Sequence, residues 1–150
     1  MAESLKEVAW ELTETSRMLR RQFNRHAAAV GATSAQWRAM FRLSREPGMK
    51  QVELADRLDV EPITAGRTID RLEEAGLVER RRDPVDRRVW RLYLTDEAAP
   101  MIERLKVVAE DVLAGALAGV SKEELAAMRA TLGKIRENVS AIEGAERKSA

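Results

Sequence analysis

The stretch that decides the fold is QVELADRLDVEPITAGRTIDRLEEAG, residues 51–76. Its apolar residues recur at helical spacing in two segments, which predicts one helix over Gln51–Leu58 and a second over Pro62–Glu74. Asp59 tolerates a left-handed turn between them, and Pro62 suits the first turn of a helix, where a backbone N–H has no helical partner. The second helix stops before Gly76, in a pattern common at helix ends. Two helices joined by so short a connection form a helix-turn-helix unit.

A β-hairpin is predicted directly after this unit. One strand is predicted over Leu77–Arg82 and a second over Val89–Leu94, in which Trp90, Leu92 and Leu94 alternate with Val89, Arg91 and Tyr93. The segment DPVD, residues 83–86, supplies the turn between them. A hairpin in this position is a wing, so the sequence predicts a winged helix-turn-helix lobe over residues 34–95.

Helices are also predicted before this wing and its helix pair. Apolar spacing predicts a helix over residues 3–29, which Gly31 ends, and another over residues 35–45, which Ser34 caps.

Two further helices are predicted in the C-terminal part of the chain. Thr95 is expected to cap a long helix that runs to Val120, with Pro100 near its start as a point where the helix could kink. Ser121 and Glu124 have the spacing of a capping box at the start of a final helix.

The predicted fold is mainly α with a small β-hairpin wing (α+β), in the order α-α-α-α-β-β-α-α. We expect a single domain over residues 1–150. The lobe is too small to bury the apolar faces of the outer helices, residues 1–30 and 96–150. Because the simplest partner for those faces is a second copy of the chain, the outer helices are expected to hold a homodimer together.

Composition narrows the classes of function. The 150 residues contain no cysteine and one histidine, His26, and the net charge is +1. Disulfides, thiol chemistry and a cysteine–histidine metal site are excluded, and no cofactor is expected. No acid, base and nucleophile converge in the pattern, so an enzyme is not expected. We expect a cytoplasmic protein, because no stretch has the roughly 18 apolar residues of a membrane span and the N-terminus lacks the apolar run of a signal peptide.

The second helix of the helix-turn-helix unit is the candidate recognition helix. An α-helix fits the major groove of DNA, and its first residues touch base edges. Arg67 could therefore pair with guanine O6 and N7, and Pro62, Ile63 and Thr64 could meet thymine methyl groups or phosphates. The same pattern also suits an ordinary amphipathic helix pair, so this helix alone leaves both interpretations open.

Arginine is concentrated on the wing, where six of the twelve residues from Arg80 to Arg91 are arginine. A narrow A·T-rich minor groove attracts arginine through its concentrated negative potential. Asp86 lies two residues from Arg88 and can hold its guanidinium in one pose by a charge-assisted hydrogen bond. The wing therefore favours duplex DNA as a partner, although a solvated charged hairpin would have the same composition.

The wing segment DRRVWRLYLT, residues 86–95, resembles the wing signature of MarR-type regulators. The segments TSAQWRAMFRLSREPG, residues 33–48, and TDEAAPMIERL, residues 95–105, extend the resemblance, especially towards the SlyA branch. The resemblance implies a homodimer on a pseudo-palindromic operator, often a repressor that is released by a small aromatic or phenolic acid.

Residue by residue, the resemblance implies that Arg88 enters the minor groove and that Asp86 orients it. Lys50 stands where relatives carry a Ser or Thr cap; it can still neutralise a phosphate, and Glu53 can still reach back to a backbone N–H. The residues expected at the DNA are Lys50, Gln51, Pro62, Ile63, Thr64, Arg67, Arg71, Asp86, Arg87 and Arg88.

The resemblance also implies a ligand cleft between the dimer helices and the DNA-binding lobe. Trp37 could form its aromatic wall, and Arg17 and Arg20 could meet the carboxylate of a small aromatic acid effector. Core packing of Trp37 and a solvated face for the two arginines are the alternative interpretations.

Two other binding functions stay open at this point. A winged-helix protein-interaction module has the same hairpin but needs no arginine at its tip, so Asp86 and Arg88 argue against it. A sequence-indifferent, architectural DNA binder would be distinguished by competition with random DNA.

Overall fold

The computed structural model describes residues 1–149, except for the side chains of Ala2 and of residues 147–149. The chain divides into two compact units, Met1–Leu113 and Ala114–Ala150. The elements are α1 Ala2–Ala29, α2 Ser34–Arg45, β1 Met49–Lys50, α3 Gln51–Leu58, α4 Pro62–Glu74, β2 Val78–Arg82, β3 Trp90–Leu94, a 3-10 turn Asp96–Ala98, α5 Ala99–Ala116 and α6 Lys122–Ser149. The predicted fold class, mainly helical with a small sheet in a winged helix, is confirmed.

The helix pair α3–α4 has the bounds that the sequence predicts. Asp59 lies in the left-handed region, with φ 54° and ψ 52°, and turns the chain between the two helices. Pro62 is the first residue of α4. The local chemistry of these two residues therefore fixes the start of the recognition helix.

The core of the first unit holds the recognition helix against the sheet. Ile69 and Leu72 of α4 are fully buried together with Leu92 of β3. Burial of each such side chain contributes about 1.5–3 kcal/mol. The other large buried side chains are Met40, Leu43, Leu54 and Val78, from α2, α3 and β2.

The sheet has three strands, whereas the sequence predicts two. Strand β1, Met49–Lys50, pairs antiparallel with β3, so that Met49 lies opposite Leu92 and Lys50 opposite Arg91. The order is β1-β3-β2. A two-residue strand is too short to show alternation, so the prediction missed it; each hairpin strand also begins one residue later than predicted.

Helix α2 begins differently from the prediction, because its cap is Thr33 and not Ser34. The Thr33 hydroxyl accepts a hydrogen bond from the Gln36 N–H at 3.2 Å, and the Thr33 N–H donates to Gln36 Oε1 at 3.0 Å. This reciprocal pair is a capping box. Ser34 is the first helical residue.

The predicted long helix after the wing is shorter than expected. Thr95 precedes a 3-10 turn, and its hydroxyl donates to the Gly76 carbonyl at 2.5 Å rather than capping the helix. Pro100 is the second residue of α5, where a proline is tolerated without breaking hydrogen bonds. The helix ends at Ala116, not Val120, before Gly119 at φ 82°.

The second unit contains α6, whose predicted capping box is confirmed. The Glu124 N–H donates to Ser121 Oγ at 3.1 Å, and the Ser121 N–H donates to Glu124 Oε2 at 2.8 Å. Across the described residues, no helix combines the length and apolar character needed to cross a membrane.

Candidate nucleic-acid interface

The recognition helix α4 has one buried and one exposed face. Ala65 and Thr68 join Ile69 and Leu72 on the buried side. On the opposite side Ile63 is 66% exposed. Pro62, Thr64, Arg67 and Arg71 are also exposed, as the sequence predicts for residues at the DNA.

The start of α3 lies beside the wing because β1 joins the sheet. Lys50 pairs with Arg91 across β1 and β3 and directly precedes α3. Its N–H donates to Glu53 Oε2 at 2.8 Å, which confirms the expected reach of Glu53. The cap therefore uses the Lys50 backbone, and the half-exposed ammonium side chain makes no hydrogen bond or ion pair among the described residues. Gln51 follows as the first residue of α3 and is half-buried.

The wing tip carries a guanidinium held by a carboxylate. Arg88 Nε donates to Asp86 Oδ1 at 3.1 Å, and Arg88 Nη2 donates to Asp86 Oδ2 at 3.3 Å. The Arg88 side chain is nevertheless 90% exposed. Hydrogen bonds from the Arg88 side chain and then its backbone N–H lower the pKa of Asp86, so the carboxylate stays ionised. The predicted pairing of Asp86 and Arg88 is present, and it aims the arginine into solvent.

The sequence predicts that Arg80 and Arg91 face DNA together with the other wing arginines. In the structure they instead pair with carboxylates of the protein itself. Arg80 forms ion pairs with Asp70 and Glu73 of α4. Arg91 pairs with Asp83 and also donates to the Gly48 carbonyl at 2.8 Å. These arginines brace the wing against its neighbours.

Asp83 organises the turn at the base of the wing tip. Its Oδ1 accepts the backbone N–H of Val85 at 2.8 Å and that of Asp86 at 2.9 Å. The backbone N–H of Asp86, the Arg91 side chain and the backbone N–H of Val85 lower the pKa of Asp83 to about 2. The turn that presents Arg88 is therefore built around a carboxylate that is ionised at neutral pH.

Aromatic rings support the other wing arginines. The Arg82 guanidinium lies 3.7 Å from the centroid of the Trp90 ring and donates to the Arg87 carbonyl at 2.8 Å. Arg81 lies over the Tyr93 ring at 4.4 Å and pairs with Glu79. The Arg87 side chain is exposed and has no partner within the part of the chain that the structure describes.

A cavity of about 510 Å³ lies between α1, α2 and α5, all in the first unit. Trp37, proposed from the sequence for the wall of a ligand cleft, is among the residues that line this cavity, and its indole N–H donates to Asn24 Oδ1 at 2.8 Å. Arg17 and Arg20 are not among the lining residues, and Arg17 pairs with Glu14. The basic side chains that line the cavity are Arg45 and Lys106. The residues along the wall are Phe23, Ala27, Trp37, Phe41, Ser44, Arg45, Ile102, Leu105, Lys106, Val108, Ala109 and Leu113.

Sequence reasoning did not anticipate Arg45, although a signal for it exists. Trp37, Phe41 and Arg45 recur every four residues on α2, so they share one face of the helix. Lys106 gave no comparable signal, because its place depends on how α5 packs. Among the described residues, no group of three or more side chains is arranged to hold a metal ion.

A helix-turn-helix packed on a three-stranded sheet, with a braced hairpin that presents an exposed arginine, defines the class of winged helix-turn-helix proteins. The sequence profile of the MarR family matches residues 32–90. The crystal structure of the transcriptional regulator PA3341 matches with 31% identity and a TM-score of 0.81, covering 89% of this chain and 98% of that chain. A MarR crystal structure matches with 30% identity and a TM-score of 0.72 over the same shares. The protein belongs to the MarR family of transcriptional regulators, which bind DNA through this winged helix.

Two further solved structures match this chain with lower sequence identity. A MarR variant from E. coli in complex with operator DNA shares the fold, with 23% identity, a TM-score of 0.72, and 90% and 97% of the two chains covered. A SlyA structure matches with 27% identity, a TM-score of 0.74, and 89% and 94% covered. Since this identity is lower than that to PA3341, the SlyA branch stays a prediction. The matched structures are of transcriptional regulators, not enzymes.

Proposed function

We propose that the protein is a sequence-specific repressor that binds a pseudo-palindromic operator in double-stranded DNA as a homodimer. The observation that carries this proposal is the Asp86–Arg88 pair, an oriented guanidinium that is 90% exposed at the tip of the wing. Because Asp86 already restricts the Arg88 side chain in the free protein, less conformational entropy is lost when that side chain enters a narrow minor groove. The exposed face of α4 would lie in the adjacent major groove.

The placement of charge supports this proposal although the net charge is only +1. Carboxylates near a DNA surface repel phosphates, but several of those on α4 and the wing are paired with arginine. Arg80 neutralises Asp70 and Glu73, and Arg91 neutralises Asp83. The side chains left without an acidic partner among the described residues include Arg67, Arg71 and Arg87. The local surface is therefore basic where DNA would lie.

Exposed apolar side chains support the dimer. On α1, Trp10 is 67% exposed, and Leu5, Val8 and Met18 lie exposed on the same helix. On α6, Met128, Val139 and Ile142 are exposed. Apolar surface of this extent on two helices favours association with a second copy, in which residues 3–29 and 97–145 form the interface.

The cavity supports an effector site for a small aromatic acid. Its volume falls within the range of ligand pockets. Phe23, Trp37 and Phe41 offer flat apolar surface, while Arg45 and Lys106 offer cations for a carboxylate. In this proposal Arg45 of α2 and Lys106 of α5 bind the carboxylate of the effector, in place of Arg17 and Arg20. Binding there would release the operator if the ligand prefers a spacing of the two recognition helices that does not fit DNA.

The test of the proposed function is salt-dependent binding of labelled duplex DNA by the full chain. The probe is the duplex that the wild-type protein selects from a random pool, with unselected random duplex as competitor. A repressor of this kind binds the selected duplex about 10³-fold or more tighter than random DNA, and its affinity falls steeply with salt. Equal affinity for both duplexes would indicate an architectural binder, and no binding to either would indicate a protein-interaction module.

A further inference from the structure

Gly66 lies in the interior of α4, where its φ is not positive and any residue except proline would fit the backbone. Glycine weakens a helix at such a position relative to alanine. The space beside it explains the glycine, because a Cβ there would lie 2.9 Å from Gln51 Nε2 and 3.6 Å from Gln51 Cδ. The recognition helix therefore has a notch at Gly66, and the side-chain amide of Gln51 fills it.

Arg80 holds the Gln51 amide in this notch. Arg80 Nη2 donates to Gln51 Oε1 at 3.4 Å and to Asp70 Oδ1 at 2.6 Å, while Nη1 pairs with Glu73. Gly66, Asp70 and Glu73 follow one another at helical spacing, so they lie on one side of α4. The Arg80 side chain is only 19% exposed. The start of α3, the wing strand β2 and the recognition helix therefore meet at one set of polar contacts.

The Arg80 contact leaves the nitrogen of the amide free to donate. Oε1 accepts from Arg80, whereas Nε2 has no hydrogen-bond partner among the residues that the structure describes and is not buried. Nε2 is the end of the amide closest to Gly66, the residue directly before Arg67, and it carries two donors. A free carboxamide N–H₂ group can donate to acceptors on base edges.

We propose that the notch at Gly66 seats Gln51 as a specificity-determining residue, which donates from Nε2 to a base-edge acceptor next to the base pair that Arg67 reads. Gly66 and Arg80 act as positioning residues through Gln51. The inference rests on the proposed DNA-binding function and adds a second element, α3, to the reading of sequence by α4.

The variant Gly66→Ala tests the notch. The new Cβ meets only the far end of a flexible side chain, so the protein folds and Gln51 swings out instead. We expect a Tm equal to or above that of the wild type, because alanine favours the helix. Affinity for the selected duplex falls between about twofold and about tenfold, the range of one lost hydrogen bond. The loss appears as flattened preference at one or two base pairs in a set of singly substituted duplexes.

Gln51→Ala and the double variant complete the experiment. Gln51→Ala should flatten preference at the same base pairs, and adding Gly66→Ala to it should cause no further loss. Wild-type preference in Gly66→Ala, a loss that is equal for all duplexes, or an undiminished effect in the Gln51→Ala background would each overturn the proposal.

Thermal unfolding separates this inference from the proposed function. If the wild-type protein binds no duplex, the proposed function and the role of Gln51 in reading bases both fail. The seating of Gln51 at Gly66 is still decided, because Gly66→Ala should raise the Tm more in the Gln51→Ala background, where no amide must be displaced. Equal shifts in the two backgrounds would show that the notch does not seat Gln51.

Discussion

Asp83 and Arg91 form an ion pair within the wing that also reaches β1. The Asp83 side chain is only 8% exposed, and Arg91 links it to the Gly48 carbonyl immediately before β1. The same carboxylate holds the backbone of the turn that leads to Arg88. The orientation of Arg88 at the tip of the wing thus depends on the Asp83–Arg91 ion pair at its base.

The pKa of Asp83 predicts how the wing responds to acid. Its pKa is lowered to about 2 from an unfolded value near 3.9, so its contribution to stability is fully present above about pH 4 and is lost as the pH falls towards 2. We expect Asp83→Asn to have a lower Tm than the wild type at pH 7, and the difference to shrink below pH 4. Circular dichroism melts of both proteins across this range measure it. A difference that stays constant from pH 7 to pH 2 would show that the charge of Asp83 does not support the fold.

Arg88→Ala should weaken operator binding strongly and leave the fold intact. The side chain is 90% exposed, so its removal costs no buried contacts. Loss of an oriented groove contact is worth about 1–3 kcal/mol, or roughly five- to 150-fold in affinity. Asp86→Ala should give a milder defect, because Arg88 keeps its charge but loses its orientation. Fluorescence anisotropy with the selected duplex measures both, with Arg57→Ala on α3, an exposed arginine outside the expected DNA contacts, as the control for net charge. Equal affinity of Arg88→Ala and Arg57→Ala would refute the role of the wing.

Arg67 and Lys50 should differ in what they recognise. Arg67→Ala should flatten preference at particular operator positions, since a bidentate base contact discriminates by about 1–3 kcal/mol. Lys50→Ala should weaken binding to all sequences alike and reduce the slope of log K against log[salt] by about one. Affinities for a set of substituted duplexes at several salt concentrations measure both effects. The assignments fail if the two variants exchange these behaviours.

The cavity should bind a flat aromatic carboxylate and thereby lower DNA affinity. We expect salicylate to bind the wild type and to weaken operator binding by about 5- to 150-fold at saturation, the usual range of coupling between sites. Trp37→Ala and Arg45→Met should lose salicylate binding, because both residues line the cavity. Arg17→Met is the matched control, since Arg17 pairs with Glu14 outside the lining. Isothermal titration calorimetry measures binding, and loss of binding in Arg17→Met alone would favour the site expected from the sequence.

The apolar surface of α1 should hold the dimer. Trp10→Glu places a charge on this surface and should shift the protein towards the monomer. Val85→Glu is the control, because Val85 is 93% exposed but lies on the wing. Light scattering at micromolar concentration gives the mass of each variant. A wild-type protein of monomeric mass would contradict the dimer, and a dimeric Trp10→Glu would remove Trp10 from its interface.

Much of the fold could be predicted because its decisive signals are local. Asp59 and Pro62 set the ends of α3 and α4 through their own backbone preferences, and the Asp86–Arg88 contact spans only two residues. The cap of α2 was misplaced by one residue, because Thr33 and Ser34 are adjacent hydroxyl residues and only the geometry of Gln36 distinguishes them.

The contacts that could not be predicted join residues far apart in the chain. Arg91 meets Gly48 across 43 residues, and Arg80 meets Gln51 across 29. Composition shows that the wing is rich in arginine but not which arginines turn inward to meet carboxylates. The cations of the cavity likewise depend on the packing of α5 against α2, which no local pattern reports.

The three tryptophans of the chain lie at three different places: Trp10 is exposed on α1, Trp37 lines the cavity, and Trp90 lies beneath Arg82 on the wing. Each indole therefore emits from a separate region of the molecule. Replacing two of them by phenylalanine leaves one indole, which can be excited at wavelengths where Tyr93 does not absorb. Its emission maximum then reports association, effector binding or DNA binding, according to which tryptophan is kept. The Arg82 guanidinium that covers Trp90 would have to adjust to a nearby phosphate backbone, so the emission of Trp90 reports DNA binding at the wing. The order of dimer formation, effector binding and DNA binding can therefore be timed without an attached dye.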